Sequence, residues 1–161
     1  MSIEETIKDF TEFYENLTSQ LKQKGTEKLK EVFKLFWEKN PEVKTISWTQ
    51  YAPYFNDGDA CIFRVNEVYF SNSENPEQVD EDDDLYDEET GVWMASAWYF
   101  GWWKKEYPDR KIPINMDNAK NLGDFLQSNA MRDIMEMMFG PDNRVIATRD
   151  GFKTEEYERH D

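Results

Sequence analysis

The sequence predicts an α+β fold: an N-terminal helical hairpin, two β-hairpins forming an antiparallel sheet, and two further helices between them. Three observations predict it. Apolar residues recur at helical spacing over 3–40 and again over 117–140. The pattern switches to β-branched and aromatic types after Val43 and after Arg144, and the turn signals Asn56-Asp57-Gly58-Asp59 and Asp150-Gly151 sit within those two stretches. With 161 residues and 16% aromatics, the chain has the size and apolar content to bury one core, and it is expected to form a single domain over residues 1–161.

Ile3, Ile7, Phe10, Tyr14, Leu17 and Leu21 alternate in spacings of four and three, which is an a/d seam with a period of about 3.5. Ser2, followed three residues later by Glu5, supplies a capping box. Gly25 is expected to end this helix, and Leu29, Val32, Phe33 and Phe36 to line a second one that stops near Asn40-Pro41. The seam either packs on the chain's own sheet or neighbouring helix, or it pairs with a second copy as a homodimer.

Val43 to Tyr51 reads as a strand, and Ala60 to Phe70 as its hairpin partner across the Asn-Asp-Gly-Asp turn. Apolar periodicity then vanishes, so residues 71–91 are expected to form a long acidic loop. The apolar stretch from Gly91 to Trp103, with Ala95 and Ala97, reads as a buried helix stopped by Pro108. Asp117 or Asn118 can cap a further helix carrying Leu122, Phe125, Leu126, Met131, Ile134, Met135 and Met138 and ending at Gly140-Pro141. Residues 144–157 close the fold as a second hairpin turning at Asp150-Gly151.

The chemistry-bearing side chains are few. His160, the only histidine, is the penultimate residue, so no imidazole is expected to be positioned for acid–base work or zinc binding. Cys61 is the only cysteine and sits in the apolar run Ala60-Cys61-Ile62-Phe63, so no internal disulfide can form. Asp80 to Asp84 begins like an EF-hand loop, but Leu85 stands where the turn glycine is needed and Gly91 where the closing glutamate is needed. Asp57 and Asp59 could act as a paired carboxylate, but they fit turn chemistry better. Phosphate-loop, Gly-x-Ser-x-Gly and His-Glu-x-x-His motifs are missing. The expectation is a non-enzyme with neither metal nor cofactor. The start of the chain has no basic n-region and no long apolar run, which points to the cytoplasm.

The net charge of −15 disfavours nucleic acid and anionic membranes. Its distribution is uneven. Ten of the 34 acids lie between Glu74 and Glu89 with no Lys or Arg among them, leaving 24 acids against 19 bases elsewhere. A loop of this kind could engage a basic groove on a protein partner. The candidate contacts are Glu77, Asp80, Glu81, Asp82, Asp83, Asp84, Asp87, Glu88 and Glu89, with Leu85 and Tyr86 as apolar anchors; the alternative is a solvated loop that aids solubility. The same charge admits a second class of function, an acidic DNA mimic that antagonises a host nuclease or restriction enzyme, although such a mimic spreads its acids over a whole face. Trp93 to Trp103, with four Trp, could supply aromatic hot spots as well as core.

The run Trp48-Thr49-Gln50-Tyr51-Ala52-Pro53-Tyr54-Phe55-Asn56-Asp57-Gly58-Asp59 resembles a stretch found in small phage and bacterial proteins, which implies a shared hairpin. In length, acidity and lack of catalytic residues the whole chain resembles the PinA-like T-even phage inhibitors of the host Lon protease. That resemblance implies a protease inhibitor: a protein of the host cytoplasm that binds an ATP-dependent AAA+ protease and blocks degradation of phage proteins. It transfers no individual site residue.

Overall fold

The computed structural model describes residues 2–52, 62–74, 85–86 and 89–157, with the backbone alone described at 85 and 86. The fold is α+β. Its elements in chain order are α1 (Ile3–Lys39), β1 (Thr45–Tyr51), β2 (Arg64–Val65), β3 (Tyr69–Ser71), β4 (Leu85–Tyr86), β5 (Trp93–Ser96), α2 (Ala97–Glu106), α3 (Met116–Leu126), a 3-10 turn (Asn129–Met131), α4 (Arg132–Phe139), β6 (Asn143–Thr148) and β7 (Gly151–Glu156).

All described strand pairs are antiparallel, and the sheet runs β4-β5-β3-β1-β6-β7 with β2 also pairing β1. β2 and β3 lie on the same side of β1 but in different registers: Gln50 faces Val65, whereas Ser47 faces Tyr69. The one-residue offset is a bulge at 66–68, where Asn66 donates its backbone N–H to the Thr49 carbonyl and its side chain bonds the Thr49 hydroxyl. The strand expected over 60–70 is therefore interrupted, and its turn at 56–59 lies outside the described residues.

The helices cover one face of the sheet. Trp48 packs against Phe33 and Phe139, Phe70 stacks on Phe36, Trp93 meets Phe100 edge to face, and Phe152 meets both Phe33 and Phe139. All of these rings but the half-buried Phe152, which packs against it, belong to one buried cluster that also takes Val145, Ala147, Leu122, Leu126 and Met135. The opposite face alternates to Ser47, Thr49, Tyr69, Ser71, Met94, Ser96 and Arg144, as the period of two requires.

Five expectations need correction. The N-terminal hairpin is a single 37-residue helix, and Gly25 does not end it. An added Cβ at Gly25 would lie 3.0 Å from Ile134 Cδ1 and 3.2 Å from Met138 Sδ, so the glycine is there to let α4 approach α1. A missing side chain in mid-helix is destabilising by about 1 kcal/mol, and the close contact with α4 offsets it. Gly25→Leu is expected to lower stability by about 1–2 kcal/mol in urea unfolding, because overpacking at α4 exceeds the gain in helix propensity. A more stable variant would mean that α4 yields freely.

The second correction concerns residues 91–103, read as one helix. They form β5 and then α2, with Ser96 as the junction: its hydroxyl accepts the Tyr99 N–H and caps α2. All four β5 residues are buried, so the alternation that marks a half-exposed strand is lost and the stretch resembles a helix. Third, the helix read over 117–140 is split into α3 and α4 by Gln127 to Met131, where the Ser128 hydroxyl bonds back to the Phe125 carbonyl. Fourth, part of the 71–91 loop is strand: Ser71 belongs to β3, and Leu85 and Tyr86 pair with Met94 and Trp93. The second hairpin also turns one residue early, on Arg149-Asp150, with Gly151 at φ 134° pairing Thr148.

Candidate interaction surface

The first two-thirds of α1 contributes nothing to the core. Its buried residues, Leu29, Phe33, Phe36 and Trp37, all follow Gly25. Before Gly25 the helix is kept by local devices. The Ser2 hydroxyl accepts the Glu5 N–H at 3.1 Å, Thr6 and Thr11 bond back one turn, and Lys8 lies 4.0 Å from Glu12. An isolated segment of this length is marginal in water, so its anchorage through Gly25 to Lys39 matters.

On this segment the seam read from the sequence stands open to solvent. Ile3 is 76% exposed, Phe10 68% and Leu21 49%; Ile7, Phe13, Tyr14 and Leu17 lie within that range. The core-facing stripe that starts at Leu29 lies about 100° around the helix from the seam, so the seam is not a continuation of the face that packs on the sheet. Single exposed apolar residues are ordinary, but a contiguous row of this length marks an interaction surface.

Heptad positions sharpen the picture. Ile3, Phe10 and Leu17 occupy d, and Ile7, Tyr14 and Leu21 occupy a. The flanking e and g positions are Glu4, Thr6, Thr11, Phe13, Thr18 and Gln20, and only the first is charged. Glu5, Lys8, Asp9, Glu12, Glu15 and Lys22 all fall on the far side of the helix at b, c and f. At its body-proximal end the seam opens into a cleft of about 730 Å³ between α1 and α4, where Tyr14, Leu17 and Leu21 face Met131, Ile134 and Met137.

A second exposed apolar cluster lies on α2 and just beyond it. Trp98 is 72% exposed, and Trp102 and Tyr107, which meet edge to face, are 38% and 44% exposed. Phe100 and Trp103 of the same helix are buried. The aromatic run is thus divided between core and surface by helical periodicity.

The acidic segment is only partly visible. Glu77, Asp80, Glu81, Asp82, Asp83, Asp84, Asp87 and Glu88 lie outside the described residues. Leu85 and Tyr86, expected as loop anchors, form β4 at one edge of the sheet. Glu89 is exposed in the turn before β5, and the exposed Glu74 lies 3.9 Å from Lys44 Nζ. The acidic segment thus follows β3 and contains β4. Asp57, Asp59, Cys61 and His160 also lie outside the described residues.

Among the described residues, no three His, Cys, Asp or Glu side chains converge as metal ligands, and no helix is long and apolar enough to cross a membrane. The Lys120 ammonium pKa is raised by its hydrogen bond to Asp124 at 2.7 Å, an exposed i,i+4 pair on α3. The seam is legible in the sequence, which leaves open whether it packs on the chain's own sheet or neighbouring helix or pairs with a second copy. The flanks on e and g, uncharged except for Glu4, set the seam apart from an ordinary solvated helix face. No family model matches the chain, and neither the curated proteins nor the solved structures give a match.

Proposed function

We propose that this protein acts by binding another protein rather than by catalysis. The observation that supports this reading is the row of solvent-exposed a/d residues from Ile3 to Leu21 of α1, flanked by positions that are uncharged except for Glu4. An apolar stripe in water is unfavourable by about 25 cal/mol per Å², and closing it against a partner recovers that energy.

The partner class implied by resemblance is an ATP-dependent protease of the Lon type, inhibited by the complex. The acidic segment 74–89 is the element suited to a basic groove on such a partner, because dense charge accelerates encounter and makes it salt-sensitive. The test is degradation of an unfolded substrate by purified Lon with increasing amounts of the protein. Proteolysis is expected to fall as a stoichiometric complex forms. A variant with the acids between Glu77 and Glu89 changed to their amides is expected to need at least about tenfold more protein. Undiminished proteolysis, with no complex at low salt, would remove Lon as the partner. Inhibition of a nuclease by the amide variant as well as by the wild type would favour an acidic mimic of DNA.

A further inference from the structure

We propose that the α1 seam is closed by a second copy of this chain, with the two α1 helices antiparallel and crossing near residue 12. The inference rests on the reading of the seam as a contact surface and names its occupant.

The pairing follows from the heptad positions. In antiparallel coiled coils an a residue of one helix lies level with a d residue of the other. Pairing residues whose numbers add to about 24 sets Ile3 against Leu21, Ile7 against Leu17 and Phe10 against Tyr14, each twice by symmetry. Every seam residue then meets a large apolar partner. This register also brings g against g and e against e. Phe13, the one large apolar residue off the seam and 61% exposed, meets its own copy across the two-fold axis, and Thr11 meets Thr11 on the other flank.

Electrostatics separates this arrangement from the alternatives. Lys24 and Lys28 occupy the next d and a positions. A parallel, in-register dimer would set each lysine against its own copy in the seam, whereas the antiparallel one carries Lys24 and Lys28 beyond Ile3, the first residue of the other chain's α1, and so out of the seam. Two chains that each carry −15 repel, and an antiparallel pairing keeps the two sheets at opposite ends of a seam about 27 Å long. The near absence of charge at e and g leaves little repulsion along the helix pair itself, the acids beside it being Asp133 and Glu136 on the wall of the α1–α4 cleft. The cleft between α1 and α4 lies where the first turns of the partner helix would arrive, so Ile3 and Ile7 of the second copy would meet Met131, Ile134 and Met137 as well as Leu17 and Leu21.

Sedimentation of the full chain at micromolar concentration is expected to give twice the 19.3 kDa chain mass. Ile7→Glu with Leu17→Glu is expected to give monomer with unchanged sheet signals in circular dichroism, since both residues are exposed and Leu17 reaches only the open cleft beside α4. Glu15→Lys, on the far side of α1, is expected to remain dimeric. Register is read by mixing two chains in a Cys61→Ser background, one Ile7→Cys and one Leu17→Cys, under mild oxidation. Mixed 7–17 disulfides are expected to exceed 7–7 and 17–17 products at least tenfold. Predominant 7–7 and 17–17 products would overturn the antiparallel arrangement. A monomeric wild type at 100 micromolar would overturn self-association. If that monomer captured Lon and the Ile7→Glu, Leu17→Glu variant did not, the seam would remain a contact surface with a different occupant.

Discussion

Replacing Gln50 with leucine is expected to destabilise the protein by about 4 kcal/mol, although leucine nearly matches glutamine in volume. Gln50 is fully buried in β1 on the face that meets the helices. Its Oε1 accepts the Trp48 indole N–H at 3.0 Å, and its Nε2 donates to the Met135 carbonyl at 2.9 Å and the Gly140 carbonyl at 2.7 Å. One side chain thus ties the central strand to the end of α4 and satisfies a buried tryptophan. Leucine fills the space but leaves the Trp48 N–H and the Gly140 carbonyl without that partner, and each stranded group destabilises by about 1–3 kcal/mol. The thermal midpoint of a chain this size should fall by roughly 8–16 °C. A loss below about 1 kcal/mol in urea unfolding would show that packing rather than hydrogen bonding holds this junction.

Gly140→Ala is expected to destabilise by about 3 kcal/mol, from two separable causes. Gly140 ends α4 with φ 90° and ψ 164°, a conformation that side-chain-bearing residues rarely adopt. An added Cβ would also lie 2.4 Å from Asn143 Nδ2, which donates to the Phe139 carbonyl and closes the turn into β6. Asn143→Ala in the same chain removes the collision but not the backbone strain. The pair of substitutions is therefore expected to be less destabilising than the sum of the two singles, with a coupling of about 1 kcal/mol read from urea midpoints. Full additivity would place the whole effect in the backbone.

The two positions differ in how far the sequence announces them. Gly140-Pro141 reads as a helix stop from residue type alone, because the conformational demand is local. Gln50 reads as one more polar residue in a strand, and its role appears only where β1 meets α4, 85 residues further along the chain. The candidate surface divides similarly. The seam from Ile3 to Leu21 is legible as periodicity, and Ser2 with Glu5 as its cap. Its exposure is not legible, since an a/d row is the same whether or not the chain folds back to cover it.

Local chemistry determined the α+β class, the capped start of α1, the strand after Val43, the end of α4 at Gly140 and the last hairpin, because each rests on residues within a turn or two of one another. Tertiary contact decided the rest. Gly25 is a helix breaker by propensity, yet it stays helical because Ile134 and Met138 need the space that a side chain would fill. Residues 93–96 are a strand rather than a helix because β3 and β4 pair with them on both sides. The α1 seam remains bare because the stripe that anchors the helix to the sheet lies elsewhere on its circumference. Periodicity records that a face is apolar, and only the position of the other elements records what is left to cover it.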